Sequence, residues 1–183
     1  MADAHRLEMR NISINFAGFA ALDNVNFVLE GHSVHALTGA NGAGKSTLMA
    51  VLSGAHSHYQ GEILLDGQPL NIRTPLQAKQ AGIHLVQQEV DNGLIPTLSV
   101  AENIMLDNLA APGQICRWGE IYRQAAALLK QLNVSLDLRQ PAERCSLAEK
   151  QQILLARALS HQCRFLILDE PTAPLDQHES EQL

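Results

Sequence analysis

Apolar and polar residues alternate through 7–16 and again through 24–30, the two-residue period of half-buried antiparallel strands. The stretch between them, AGFAALD, reads as a turn. A short apolar run at 34–37 predicts a third strand, and a helix follows over 45–52, ending near Gly54. Asp66-Gly67 predicts a hairpin turn after the strand in GEILL. A short helix is expected over 74–81 and a strand over 83–87. The middle of the chain is helical in pattern. Ser99 and Glu102 have capping-box spacing, 121–132 reads as an amphipathic helix, and Ser146 with Glu149 opens another helix that runs to 159. The run FLIL at 165–168 predicts a parallel-sheet strand buried on both faces.

Between the 34–37 run and the next helix lies Gly39-Ala40-Asn41-Gly42-Ala43-Gly44-Lys45-Ser46, which matches GxxxxGK[ST]. Glycines let the backbone curl so that several N–H groups point at one spot, and the helix behind adds the positive end of its dipole. Lys45 adds a full charge for β- and γ-phosphates, and the Ser46 hydroxyl suits Mg²⁺; Thr47 completes the stretch. A Gly-rich turn that only caps a helix is the plainer reading, and the strand–loop–helix order speaks against it. FLIL runs directly into Asp169 and Glu170. An acid at a strand end beside a phosphate loop fits a Mg²⁺ partner, and the next carboxylate fits a general base for water.

The remaining composition narrows the classes. The chain has 183 residues, 46% hydrophobic and 17% charged, enough for one α/β domain with a small appended subdomain. A net charge of −6 without a Lys/Arg run argues against nucleic acid as a partner. The amino terminus has no signal-peptide core and no apolar run is long enough to span a bilayer, so a cytoplasmic or peripheral chain is expected. Cys116, Cys145 and Cys163 lack metal or disulfide spacing and read as free thiols. His56 and His58, in a Ser-rich turn, read as solvent-facing.

These residues resemble the ATP-binding cassette ATPases over nearly the whole chain. GANGAGKST is similar to the family's Walker A, and FLILDEPTAPLD to Walker B running into the D-loop, with Asp176 as its acid. Gln88 in LVQQEV falls at the Q-loop glutamine, favoured over the adjacent Gln87. Phe16 falls where the family stacks an aromatic ring on adenine; a core strand residue is the plainer reading. The resemblance implies ATP and Mg²⁺ as cofactors, with the metal held by Ser46, Gln88 and Asp169, and Glu170 and Gln88 in catalytic roles. It also implies a P-loop (RecA-like) α/β core with an amino-terminal antiparallel β subdomain and a helical insert, incomplete at the carboxyl end. The corresponding divisions are 1–88, 89–160 and 161–183.

CSLAEKQQILLARAL resembles the signature region, in which one cassette clamps the γ-phosphate held by another. Ser146 is retained, but Leu147 and Ala148 replace two glycines and Glu149 replaces the glutamine. A bulkier backbone and a carboxylate both oppose an anion, so a weak or inactive signature is expected. The wording resembles the amino-terminal cassette of monosaccharide-type importers, and importers of furanose-like signal molecules fit about as well. That resemblance implies a second cassette, membrane permease subunits and, indirectly, a solute-binding protein as partners. It places the chain peripherally on the cytoplasmic side of the membrane, with Gln88 and the region 91–105 passing motion to the permease. The family's switch histidine has no counterpart before Leu183, so the chain is expected to be either a fragment of a longer protein or a truncated product. A soluble cassette without transport, or a product that binds ATP without hydrolysing it, is the alternative.

Overall fold

The computed structural model describes residues 5–86, 90–109 and 117–169. The chain divides into two compact units, one of residues 1–85 with 164–167 and one of residues 86–163 with 168–183.

The first unit is built on an antiparallel sheet. Strands β1 (Arg6–Phe16), β2 (Phe19–Glu30), β3 (Gln60–Leu65) and β4 (Gln68–Pro69) lie in the order β2-β1-β3-β4. The turn joining β1 to β2 is only Ala17-Gly18, so AALD belongs to β2 rather than to the turn. Register shifts along β1 coincide with Asn11, at a φ of 53°, and bend the strand so that Leu7, Met9, Ile12 and Ile14 all reach the core. Asp66-Gly67 makes the β3–β4 turn as the dipeptide predicts. The Asp66 carboxylate accepts from the Arg6 backbone N–H at 2.8 Å and pairs with His5, which holds its pKa below the usual carboxylate value.

Helix α1 (Lys45–Leu52) buries Leu48, Val51 and Leu52 against this sheet's core. Helix α2 (Pro75–Gln80) starts with Pro at its first turn and a Thr74 side-chain cap. Strand β5 (Ile83–Val86) pairs with β6 (Phe165–Leu168). The Gly82 carbonyl accepts from Phe165 N, and the Val86 carbonyl from Asp169 N, so both strands run in the same direction.

Two expectations are corrected here. Residues 34–37 form no strand, and Val34 is 101% exposed. A strand exists only by sharing hydrogen bonds with a neighbour. Among the described residues, β1 to β4 pair with one another and β5 with β6, which leaves this run no ladder. Likewise FLIL is not buried on both faces. Phe165 and Ile167 are buried while Leu166 and Leu168 are about two-fifths exposed, 39% and 41%. Its inward face joins the first unit's core, and its other face lacks a covering layer among the described residues.

The second unit is helical: α3 (Val90–Gly93), α4 (Val100–Ile104), α5 (Leu106–Leu109), α6 (Trp118–Gln131) and α7 (Leu147–Leu159). Its core joins Val100, Ala101 and Ile104 of α4, Ile121, Ala125 and Leu129 of α6, and Ile153 and Ala156 of α7. Separations of three and four residues in α4, four and eight in α6 and three in α7 place them on one face of each helix. Both capping boxes form as their spacing predicts, at Ser99–Glu102 and Ser146–Glu149.

Candidate functional site: a phosphate loop and a signature helix

Residues 39–43 are exposed loop, and Gly44, Lys45 and Thr47 are half-buried. The loop turns tightly, with Ala43 N donating to Ala40 O at 3.1 Å. Gly44 is the N-cap of α1 at a φ of 87°. A Cβ there would lie 2.7 Å from the Ala21 carbonyl oxygen and 2.9 Å from Leu22 Cδ2. Both the left-handed backbone and this close approach to β2 demand glycine.

Gly44 supplies no side-chain cap to the first N–H groups of α1, and the first turn holds no acid. The helix therefore offers unpaired donors and the positive end of its dipole. The Lys45 Nζ donates to the carbonyls of Gly39 at 2.8 Å and Ala40 at 3.0 Å. These bonds bend the loop back over the ammonium. An ammonium has three donors, so one remains for an anion. The Ser46 hydroxyl is exposed in the same first turn. Loop, ammonium, hydroxyl and helix end form one concentrated patch of donors within the first unit.

Phe16, at the end of β1, is half-buried. Its ring meets His56 at 5.0 Å and His58 at 5.4 Å, edge to face, and the two imidazoles lie 5.9 Å apart. His58 is exposed as expected. His56 is only half-exposed, because the loop after α1 folds it against Phe16. A separation of about forty residues hid this three-ring cluster from any local pattern.

Asp169 follows β6, is half-exposed, and belongs to the second unit with its backbone fixed to Val86. Gln88, Glu170 and Asp176 lie outside the described residues, as does Cys116. Cys145 and Cys163 are free thiols, as read from their spacing. Burial pushes both thiols up, and the Glu149 charge adds to the effect at Cys145.

Ser146 is the N-cap of α7. Its side chain accepts from Glu149 N at 3.2 Å, and Glu149 Oε2 accepts from Ser146 N at 2.7 Å. The carboxylate of this chain's own Glu149 thus takes up the Ser146 backbone donor at the start of α7. Among the described residues no cluster of three His, Cys, Asp or Glu side chains could hold a metal, and no helix is long and apolar enough to cross a membrane.

Comparison with known proteins places this geometry in a family. The family model "ABC transporter" matches residues 22–173. The chain is 45% identical over 177 residues to a ribose import ATP-binding protein, RbsA 2, of Escherichia coli O157:H7. It is 40% identical over 179 residues to the xylose import ATP-binding protein XylG of Thermoanaerobacter pseudethanolicus. Each match covers 97% of this chain and 35% of the relative, so the chain spans about a third of their length. The solved structure of cbiO1 from Clostridium perfringens, part of an ABC transporter complex, superposes with a TM-score of 0.80 at 27% identity. That match covers 96% of this chain and 69% of the other. By family model, relatives and fold together, the chain belongs to the ABC transporter family.

Proposed function

We propose that this chain is the nucleotide-binding part of an importer for a sugar or sugar-like solute, coupling ATP binding and hydrolysis to uptake. The observation that carries the reading is the loop at Gly39–Lys45: it gathers backbone donors and an ammonium in front of an uncapped helix. A triphosphate is the ligand that uses all of them at once. The solute class rests on the names of the ribose and xylose import relatives.

In this reading Lys45 pairs with the β- and γ-phosphates, and the α1 amides cradle them. Phe16 stacks on the base, with its ring already braced by His56 and His58. The exposed Ser46 hydroxyl and the Asp169 carboxylate are hard oxygen donors of the kind Mg²⁺ prefers, and Gln88 adds a third. When bound, the ion neutralises charge on the phosphate oxygens. Glu170 polarises water, and Asp176, the acid of the D-loop, belongs with the nucleotide-binding residues. Partners are that cassette, fused or separate, and permease subunits at the cytoplasmic face of a membrane, with a solute-binding protein beyond them. The divisions 1–88, 89–160 and 161–183 are the working domains of this scheme.

The test uses the complete protein assembled with its permease. Glu170→Gln leaves labelled-ATP binding intact and stops solute-stimulated phosphate release. Unchanged release removes Glu170 from the mechanism, and a complex with no solute-stimulated release overturns the importer reading.

A further inference from the structure

The second unit contains an arginine whose role the phosphate site does not explain. Arg157, near the end of α7, is half-buried, and desolvation lowers its pKa against the opposing charge of Asp107. A buried guanidinium is tolerated only where acceptors replace water. Here they come from one place. Nε donates to the Asn103 carbonyl at 2.6 Å, Nη1 to the Gly93 carbonyl at 2.6 Å, and Nη2 to Asn103 Oδ1 at 3.1 Å.

Asn103 is wholly buried and spends its other bonds on the same segment. Its Oδ1 accepts from Ile95 N at 2.9 Å. Its Nδ2 donates to the carbonyls of Ile95, Leu98 and Ser99 at 3.0, 3.1 and 3.2 Å. The turn 94–98, between α3 and α4, is therefore held by its backbone from beneath, while Ile95 is 40% exposed.

Two more residues of α7 reach α3, which leads into this turn. Lys150 Nζ donates to Asp91 Oδ1 at 2.7 Å. Leu154 lies so close to Gly93 that a Cβ there would be 2.9 Å from Leu154 Cδ2. Lys150, Leu154 and Arg157 are spaced i, i+4, i+7, one stripe along one helix face. The same helix begins at Ser146 and is about 20 Å long.

We infer that Lys150, Leu154 and Arg157, with Asn103, are positioning residues that clamp α3 and the turn after it to helix α7, so that turn and helix move as one piece. An apolar residue at position 157 could fill the space but could not read the backbone carbonyls of Gly93 and Asn103. Force on the exposed Ile95 then reaches the Ser146–Glu149 end of α7 without loss in the turn. The consequence for transport rests on the importer reading; the clamp itself does not.

The clamp is tested first in this chain alone, by amide hydrogen exchange with and without Mg·ATP. Arg157→Gln speeds exchange of the Ile95 amide and its neighbours at least tenfold, and Arg157→Lys, which keeps charge but loses the fork, gives a partial effect. Lys150→Ala keeps the guanidinium and gives a smaller increase confined to α3, which covers the case in which Arg157→Gln does not fold. ATP affinity and exchange in α1 stay as they were. Unchanged exchange at 90–98 in the folded variants, or an increase spread evenly through the unit, overturns the clamp. In the complete importer, Arg157→Lys keeps basal ATP hydrolysis and loses its stimulation by permease and solute. Retained stimulation overturns the coupling role, whereas an unaltered protein that shows no stimulation overturns the importer reading instead.

Discussion

Two helices of this chain begin at positions that could hold a phosphate, and they are finished in opposite ways. Helix α1 opens at Gly44, with no side-chain cap and no acid in its first turn. Helix α7 opens at Ser146, inside a capping box closed by Glu149. The backbone physics is the same at both ends: unpaired N–H groups and a positive dipole end. What differs is who satisfies them. At α1 glycine leaves the donors for an outside anion and Lys45 adds charge. At α7 a carboxylate three residues along already serves as the anion. One end is left open, and the other is closed by its own side chains.

Substitutions that blur this contrast have graded effects. The largest is Gly44→Ala. It forces a Cβ against the Ala21 carbonyl at a φ of 87°, and strain with overpacking costs about 2–5 kcal/mol. Thermal melting of the first unit shows it as a lowered transition, and an unchanged transition means that the N-cap geometry is wrong. Next, Lys45→Ala removes the ammonium bonded to Gly39 and Ala40 and costs about 1.5–3 kcal/mol of ATP affinity, measured with labelled nucleotide.

Smaller effects come from the closed end. Ser146→Ala loses the side-chain cap of α7 and costs about 1 kcal/mol of stability by denaturant titration, with ATP affinity unchanged. Glu149→Gln keeps the acceptor oxygen but drops the charge at the dipole end, a loss of about 0.3–1 kcal/mol. In a paired cassette the same change strengthens the signature's hold on a γ-phosphate. Weaker pairing in this variant contradicts the view that the carboxylate is what blocks it.

The features legible in the sequence are those that short segments determine alone. GANGAGKST specifies a curled loop and an uncapped helix through its own residue types, and α1 forms over the residues expected. Both capping boxes follow from a Ser and a Glu three apart, because the partners share one turn. The sequence misleads where a neighbour decides. An apolar run such as 34–37 becomes a strand only beside another strand, and FLIL is buried on both faces only under two layers. Side chains that meet across long separations left no pattern, as with Phe16 and its two imidazoles. Arg157 was hidden for a different reason: its partners are mostly backbone carbonyls, which carry no residue identity. An asparagine in the apolar run of α4 and the 150/154/157 spacing are the signals that could have found it.

The contrast between the two helix ends is tested most directly by titrating the isotope-labelled chain with Mg·ATP and following its backbone amides by NMR. Large, saturable shifts are expected at Gly44, Lys45, Ser46 and Thr47, and none at Ser146 to Glu149. Shifts centred on Ser146–Glu149, or a silent Gly44–Thr47 stretch at saturating nucleotide, contradict it.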